Sequence, residues 1–187
     1  MSKGNLFVFS GASGVGKSTV LSKVMSARSD LCFSVSATTR APRQGEEQGV
    51  HYYFVTVDEF QDMIAGNQML EYDFHNDTFY GTPKQQLDEK LREKNVVLDV
   101  EPVGAFNIKQ VYPDATLIFL MPPSVEELER RLRSRGDTSA QQIELRLERA
   151  KWEMEQRFRY DYIVVNQDAD VCAQEILKIM DEHAHEE

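Results

Sequence analysis

The sequence predicts an α/β protein, a parallel β-sheet flanked by helices and organised around a phosphate-binding loop. Three observations carry that prediction. Gly11-Ala12-Ser13-Gly14-Val15-Gly16-Lys17-Ser18-Thr19 fits Gly-x-x-x-x-Gly-Lys-Ser. Apolar runs of strand length recur at 6–10, 32–36, 51–55, 96–100, 116–121 and 162–166, with helix-like segments between most of them. The helix starts carry capping chemistry at Thr56-Val57-Asp58-Glu59, Ser124-Val125-Glu126-Glu127 and Ser139-Ala140-Gln141-Gln142. Thr82-Pro83 adds a capping residue before a proline at a first helical position.

The loop lies where its chemistry requires, after the first apolar run and before the helical Val20-Leu21-Ser22-Lys23-Val24-Met25. Its glycines let the backbone curl so that N–H groups converge on phosphate oxygens. The helix N-terminus adds a partial positive charge. Lys17 is placed to reach the β- and γ-phosphates and Ser18 to ligate Mg²⁺, so the motif predicts a bound nucleoside triphosphate.

A chain of 187 residues, 41% hydrophobic, is one domain or one core with inserted lobes. Lys+Arg 21 against Asp+Glu 31 gives a net charge of −10, which argues against non-specific nucleic-acid binding, a task for clustered cations. The two cysteines, Cys32 and Cys172, lack metal-ligand spacing and read as small buried hydrophobes in a reducing compartment. There is no basic-then-apolar leader pattern and no apolar run long enough to span a membrane, so a soluble, cytoplasmic protein is expected.

Residues 33–86 differ from the rest, being rich in Thr, Tyr, Gly and Phe with no long helices between strands. They read as an inserted, partly antiparallel lobe. Residues 133–142, short and polar around Arg135-Gly136-Asp137, have a loop composition. The tail His183-Ala184-His185-Glu186-Glu187 reads as a solvated terminus rather than a metal site.

Phosphoryl transfer requires cations beyond Lys17 to hold two anionic substrates. Arg40 and Arg43 flank Pro42, which extends the backbone and lets both guanidiniums face one anion; two solvated loop arginines are the alternative. A second cluster comprises Arg131, Arg133 and Arg135, with Arg146 and Arg149 three residues apart on one helix face. Its alternative is a surface charge ladder in which Glu144, Glu148 and Glu153 serve as partners. Ile143, Leu147, Ala150 and Met154 form the apolar stripe of that helix. Asp99 ends its apolar run, where a carboxylate typically faces the metal and the phosphate loop, or else caps the helix after Pro102.

With these residues in place the chain resembles guanylate kinases. The likeness rests on the phosphate loop and on Phe33-Ser34-Val35-Ser36-Ala37-Thr38-Thr39-Arg40-Ala41-Pro42-Arg43. It continues through Gly49-Val50-His51-Tyr52-Tyr53-Phe54, Leu70-Glu71, Phe79-Tyr80-Gly81-Thr82, Arg133-Ser134-Arg135-Gly136 and Asp161-Tyr162-Ile163-Val164-Val165-Asn166. The resemblance implies a core over about 1–32, 87–130 and 158–187, a GMP-binding lobe over about 33–86 and a short helical lid over about 131–157. It implies MgATP-dependent conversion of GMP to GDP, with Arg40, Arg43, Tyr52 and Tyr80 on the GMP phosphate. Ser36, Glu71 and Thr82 then read the guanine edge and Glu101 lies near the base. Arg131, Arg135 and Arg146 clamp the triphosphate and the transferring group, Asn166 lies at the adenine site, and Ser18 with Asp99 serves the metal. Lys17, Arg40, Arg135 and Arg146 are the implied catalytic cations. Use of dGMP, and monomer against homodimer, stay open.

The chain departs from the pattern at Pro102-Val103-Gly104, where the family usually places an aromatic or aliphatic residue and then Gln before the Gly. Two other readings stand beside this one. One is a kinase of the same fold with another phosphorylated acceptor; the other is a non-catalytic, phosphopeptide-binding module, against which the complete phosphate loop speaks.

Overall fold

The computed structural model describes residues 4–75, 77–134 and 140–183. Its first strand, β1 (Leu6–Gly11), is buried along its whole length and runs straight into the phosphate loop and α1 (Lys17–Ala27). β2 (Leu31–Phe33), β3 (Ala37–Thr38), β4 (Tyr53–Phe54), α2 (Val57–Ala65), β5 (Met69–His75), β6 (Thr78–Pro83) and α3 (Lys84–Leu91) follow. The chain then alternates β7 (Asn95–Asp99), α4 (Pro102–Val111), β8 (Thr116–Met121), α5 (Val125–Ser134), α6 (Ala140–Glu155), β9 (Tyr162–Val165) and α7 (Ala169–His183).

Five strands form a parallel sheet in the order β2-β7-β1-β8-β9. The strands at its centre are near-continuous apolar runs, as burial on both faces demands. Phe7, Phe9, Leu98, Ile118 and Phe119 fill the core with α1, α4, α6 and α7 packed around it. The predicted stripe of α6 serves this core: Ile143, Ala150 and Met154 are buried and Leu147 packs against them. Parallel strands open their carboxyl ends along one edge, where α/β proteins bind ligands. The register there sets Phe9 of β1 beside Asp99 of β7, which carries the Asp99 carboxylate to the mouth of the loop.

A second, mixed sheet runs β4-β3-β6-β5, with β3 parallel to β4 and antiparallel to β6. Its own small core joins Ala37, Phe60 and Met69, and the Phe60 ring stacks on Phe79 at 5.1 Å. The partly antiparallel character expected for this segment is present, carried by the β5–β6 hairpin and the β3–β6 pair. Thr82-Pro83 is a correction. The strand continues through Pro83 and the helix begins at Lys84, because the Thr82 hydroxyl bonds Glu71 rather than a helix N–H.

Thr56-Glu59 forms both halves of the capping box. Ser124 accepts from the Glu127 N–H at 3.1 Å, while the Glu127 carboxylate turns to Arg130 and Arg131 instead of back to Ser124. Cys172 is buried, Cys32 is half-buried, and neither is in a disulfide. Among the described residues no helix is long and apolar enough to cross a membrane. Ser139 and the tail beyond His183 lie outside the described residues.

Candidate active site

The phosphate loop is shaped by two glycines in the left-handed region, Gly14 at φ 90° and Gly16 at φ 92°. A side chain at Gly14 would be strained by the positive φ and would also meet Leu132 Cδ2 of α5 at 2.6 Å, so Leu132 would have to shift. Val15 is buried beneath the loop, and its carbonyl accepts from Asn166 Nδ2 at 2.8 Å and Arg131 Nη1 at 3.1 Å. Arg131 also donates to the Asn166 carbonyl and pairs with Glu127. Both residues thus brace the loop, and neither lines the 480 Å³ cavity above it. That cavity is lined by residues 11–18 with Asp99, Glu101, Arg146, Arg149 and Glu153. Thr19 is exposed and outside the lining.

Lys17 Nζ pairs with Asp99 Oδ1 at 2.5 Å across the mouth of β1 and β7. Asp99 is therefore not a helix cap; Glu101 holds the N-cap position of α4 and Pro102 its first turn. Ser18 and Asp99 present oxygens to a common cleft beside α1. A hydroxyl and a carboxylate make a hard donor pair of the type that binds Mg²⁺ together with substrate phosphates and waters, so the residues present fit that ion.

A second cavity, of about 670 Å³, opens between the two sheets. Lys17, Ser36, Tyr52, Glu71, Tyr80, Asp99 and Glu101 all line it. At its base Glu71 Oε1 accepts the Thr82 hydroxyl at 2.6 Å. Sequence and backbone together explain that contact. A bulge between Met69 and Glu71 resets the register so that Glu71 lies directly opposite Thr82, which puts both side chains on one face of the hairpin. Burial pushes the Glu71 carboxyl above the usual carboxylate range; the Thr82 bond opposes that, and Asp73 and Glu101 reinforce it. Gly104 in the first turn of α4 approaches so closely that an added Cβ would sit 3.1 Å from Glu71 Oε2. Val103 puts an exposed apolar side chain on the cavity wall.

Arg40 is held by Glu46 through two parallel bonds of 2.6 and 2.7 Å, and its guanidinium lies over the Tyr52 ring, 4.9 Å from the centroid. Glu46 also accepts the Arg43 N–H at 2.7 Å, and its pKa is drawn down to about 2, chiefly by Arg40. Tyr52 and Tyr80 meet edge to face at 6.1 Å. The Arg43 side chain is exposed, Arg133 pairs with Glu129, and Arg135 lies outside the described residues.

Two residues that the sequence placed only in the second arginine cluster and its charge ladder belong to the site. Arg149 lines both cavities. Glu153, read there as a surface partner, is only 1% exposed. Its Oε2 accepts the Ser13 N–H at 2.8 Å and its Oε1 faces Arg149 Nε at 3.1 Å. Burial, helped by the nearby Glu101 carboxylate, raises the Glu153 pKa. The signal was present in the spacing, since Arg146, Arg149 and Glu153 fall three and four apart on one face of α6.

A family model described as guanylate kinase matches residues 3–183. The chain belongs to the guanylate kinase family. A guanylate kinase of Lactococcus lactis is 46% identical over 180 residues, 96% of this chain and 88% of that one. A guanylate kinase of Synechococcus sp. is 44% identical over 175 residues, 93% of this chain and 81% of its own length. The crystal structure of guanylate kinase from Anaplasma phagocytophilum aligns with 100% of this chain and 89% of its own, at 31% identity and a TM-score of 0.77. Family membership fits the architecture described above: a parallel five-stranded sheet flanked by helices, with a mixed sheet beside it.

Proposed function

We propose that this protein transfers the γ-phosphate of ATP to GMP, yielding ADP and GDP. One observation carries the reading. The cavity above the phosphate loop and the cavity that holds Glu71 share four lining side chains, Lys17, Asp99, Glu101 and Arg149. ATP occupies the first and GMP the second, so donor and acceptor phosphates converge at Lys17. Residues of about 33–86, with the four-stranded sheet, act as the acceptor lobe, and residues of about 131–157 as a lid.

In the acceptor cavity Glu71 accepts from guanine N1–H and the 2-amino group, Thr82 holds that carboxylate, and Ser36 donates to O6. Adenine would set an acceptor against Glu71 and is rejected for that reason. Arg40, fixed by Glu46, holds the GMP phosphate with Arg43, Tyr52 and Tyr80. Glu101 stands near the base, and Asn166 with Arg131 supports the adenine end of the donor site. Ser18 and Asp99 hold Mg²⁺, which when bound screens the charge of the β- and γ-phosphates. Lys17 exchanges its Asp99 partner for triphosphate oxygens, and with Arg146 and Arg135 neutralises the transferring group. The new bond forms between a GMP phosphate oxygen and the γ-phosphorus as the bond to the β–γ bridging oxygen breaks. The nucleophile is already anionic, so no strong general base is required. Closure of lobe and lid keeps water from competing for the phosphoryl group. The reading puts the protein in purine nucleotide metabolism, in the cytoplasm.

The test is product identification. Incubated with ATP, Mg²⁺ and GMP, the protein should yield ADP and GDP in equal amounts by ion-exchange chromatography. Consumption of ATP without GDP would contradict the reading.

A further inference from the structure

We infer that Glu153 is a positioning residue that links the phosphate loop to the acceptor cavity through Arg149. The observation behind this is a continuous series of polar contacts. The Ser13 N–H donates to Glu153 Oε2 at 2.8 Å. Glu153 Oε1 holds Arg149 Nε at 3.1 Å, and Arg149 Nη2 reaches Glu101 Oε2 at 3.4 Å. Glu101 is the N-cap of α4, and Gly104 in the first turn of that helix packs on Glu71. The series therefore runs from a donor-loop amide to the turn that supports the proposed base-reading carboxylate.

Burial separates this arrangement from an ordinary helix ion pair. Glu153 is 1% exposed, whereas Glu144 and Glu148 on the same helix are exposed. A carboxylate removed from water is costly unless its oxygens are satisfied, and an apolar residue would pack this position at lower cost. Here one oxygen is given to a loop amide and the other to a guanidinium lining both cavities. Seating GMP against Glu71 and Glu101 orders Arg149. Arg149 then holds Glu153, and with it the Ser13 amide, in the arrangement that receives the triphosphate. The two ligands consequently strengthen each other's binding, and by linkage the effect is equal in both directions.

The inference rests on the proposed ATP and GMP sites, and the test separates the two. Binding of the β,γ-imido analogue of ATP is measured by calorimetry on the full chain with Mg²⁺, with and without saturating GMP. GMP should tighten the analogue at least about fivefold, the lower end of ordinary coupling. In Glu153→Gln, whose amide oxygen still accepts from Ser13 but no longer draws the guanidinium by charge, the factor should fall below about twofold, as it should in Arg149→Ala. The double variant should show no further loss. Circular dichroism confirms the fold of each variant, and Glu153→Gln preserves size and the loop bond should an alanine fail to fold. Failure of the wild-type chain to bind GMP at all would refute the site assignment itself. Binding of both ligands with no coupling in the wild type, or with wild-type coupling in both variants, would overturn the role of Glu153 alone.

Discussion

Lys17 Nζ lies 2.5 Å from Asp99 Oδ1, so the phosphate-loop lysine is neutralised by the carboxylate at the end of the adjacent strand. Triphosphate oxygens replace that partner in the proposed reaction. Lys17→Ala should then lower kcat by roughly 10²–10³-fold, as loss of one transition-state charge contact does. GMP binding should be largely kept, because the proposed contacts to its base and phosphate come mainly from the other sheet. Steady-state kinetics with calorimetric GMP titration checks this; near-normal turnover would remove the role assigned to Lys17.

In the proposed reaction the Glu71–Thr82 pair, joined by a 2.6 Å hydrogen bond, carries the acceptor specificity. Glu71→Gln preserves volume but turns an N–H toward a guanine donor. Its kcat/KM for GMP should drop by about 10- to 150-fold, equivalent to roughly 1.5–3 kcal/mol for a charge-assisted hydrogen bond. Thr82→Val, which removes only the hydroxyl that steadies Glu71, should cost about 3- to 10-fold. A Glu71→Gln variant that keeps wild-type efficiency with GMP would displace Glu71 from base recognition.

Glu71 also sets a pH dependence. Burial raises its pKa in the free protein, against Thr82 and with Asp73 and Glu101 adding to the rise. Its contribution to stability is complete at low pH and is lost as pH rises through that raised value. In the proposed site GMP requires the ionised form, so below the Glu71 pKa affinity should weaken about tenfold per pH unit, and binding there should release protons. Calorimetry in two buffers of different ionisation enthalpy, just above the usual carboxylate range, measures the release. The same release from Glu71→Gln would assign it to another group. Glu46 behaves oppositely: held near pKa 2 chiefly by Arg40, it keeps its bridge until the pH falls toward that value.

Glu46 holds Arg40 in a fixed fork over Tyr52. Glu46→Ala frees that long side chain, and KM for GMP should rise about two- to tenfold, the scale of re-immobilising one such group on binding. KM for ATP should stay constant. Equal increases for both substrates would point to a general loss of structure in the acceptor sheet.

The central sheet was legible in the sequence because its strands are buried on both faces and read as apolar runs between helical segments. The phosphate loop was legible for a different reason: its glycines and Lys17 answer to local backbone chemistry. The hairpin of Met69–His75 and Thr78–Pro83 was not separately named, because Glu71, Asp73 and Thr82 interrupt its hydrophobic pattern and Thr82-Pro83 mimics a helix start. Glu71 and Thr82 were singled out by family resemblance, whereas their contact follows from a one-residue bulge that composition does not reveal. The pairing of Glu153 with an arginine of its own helix was legible from the four-residue spacing and is present with Arg149, but the burial of its carboxylate was not. Only the packing of α6 against the loop shows that its carboxylate is buried.

The most direct measurement is a coupled assay of ADP formation with ATP held constant and GMP, AMP, CMP and UMP as alternative acceptors. GMP should exceed AMP in kcat/KM by about 10⁴-fold or more, the discrimination available when a mismatched base leaves buried polar groups unpaired. A value for AMP equal to or above that for GMP would contradict it.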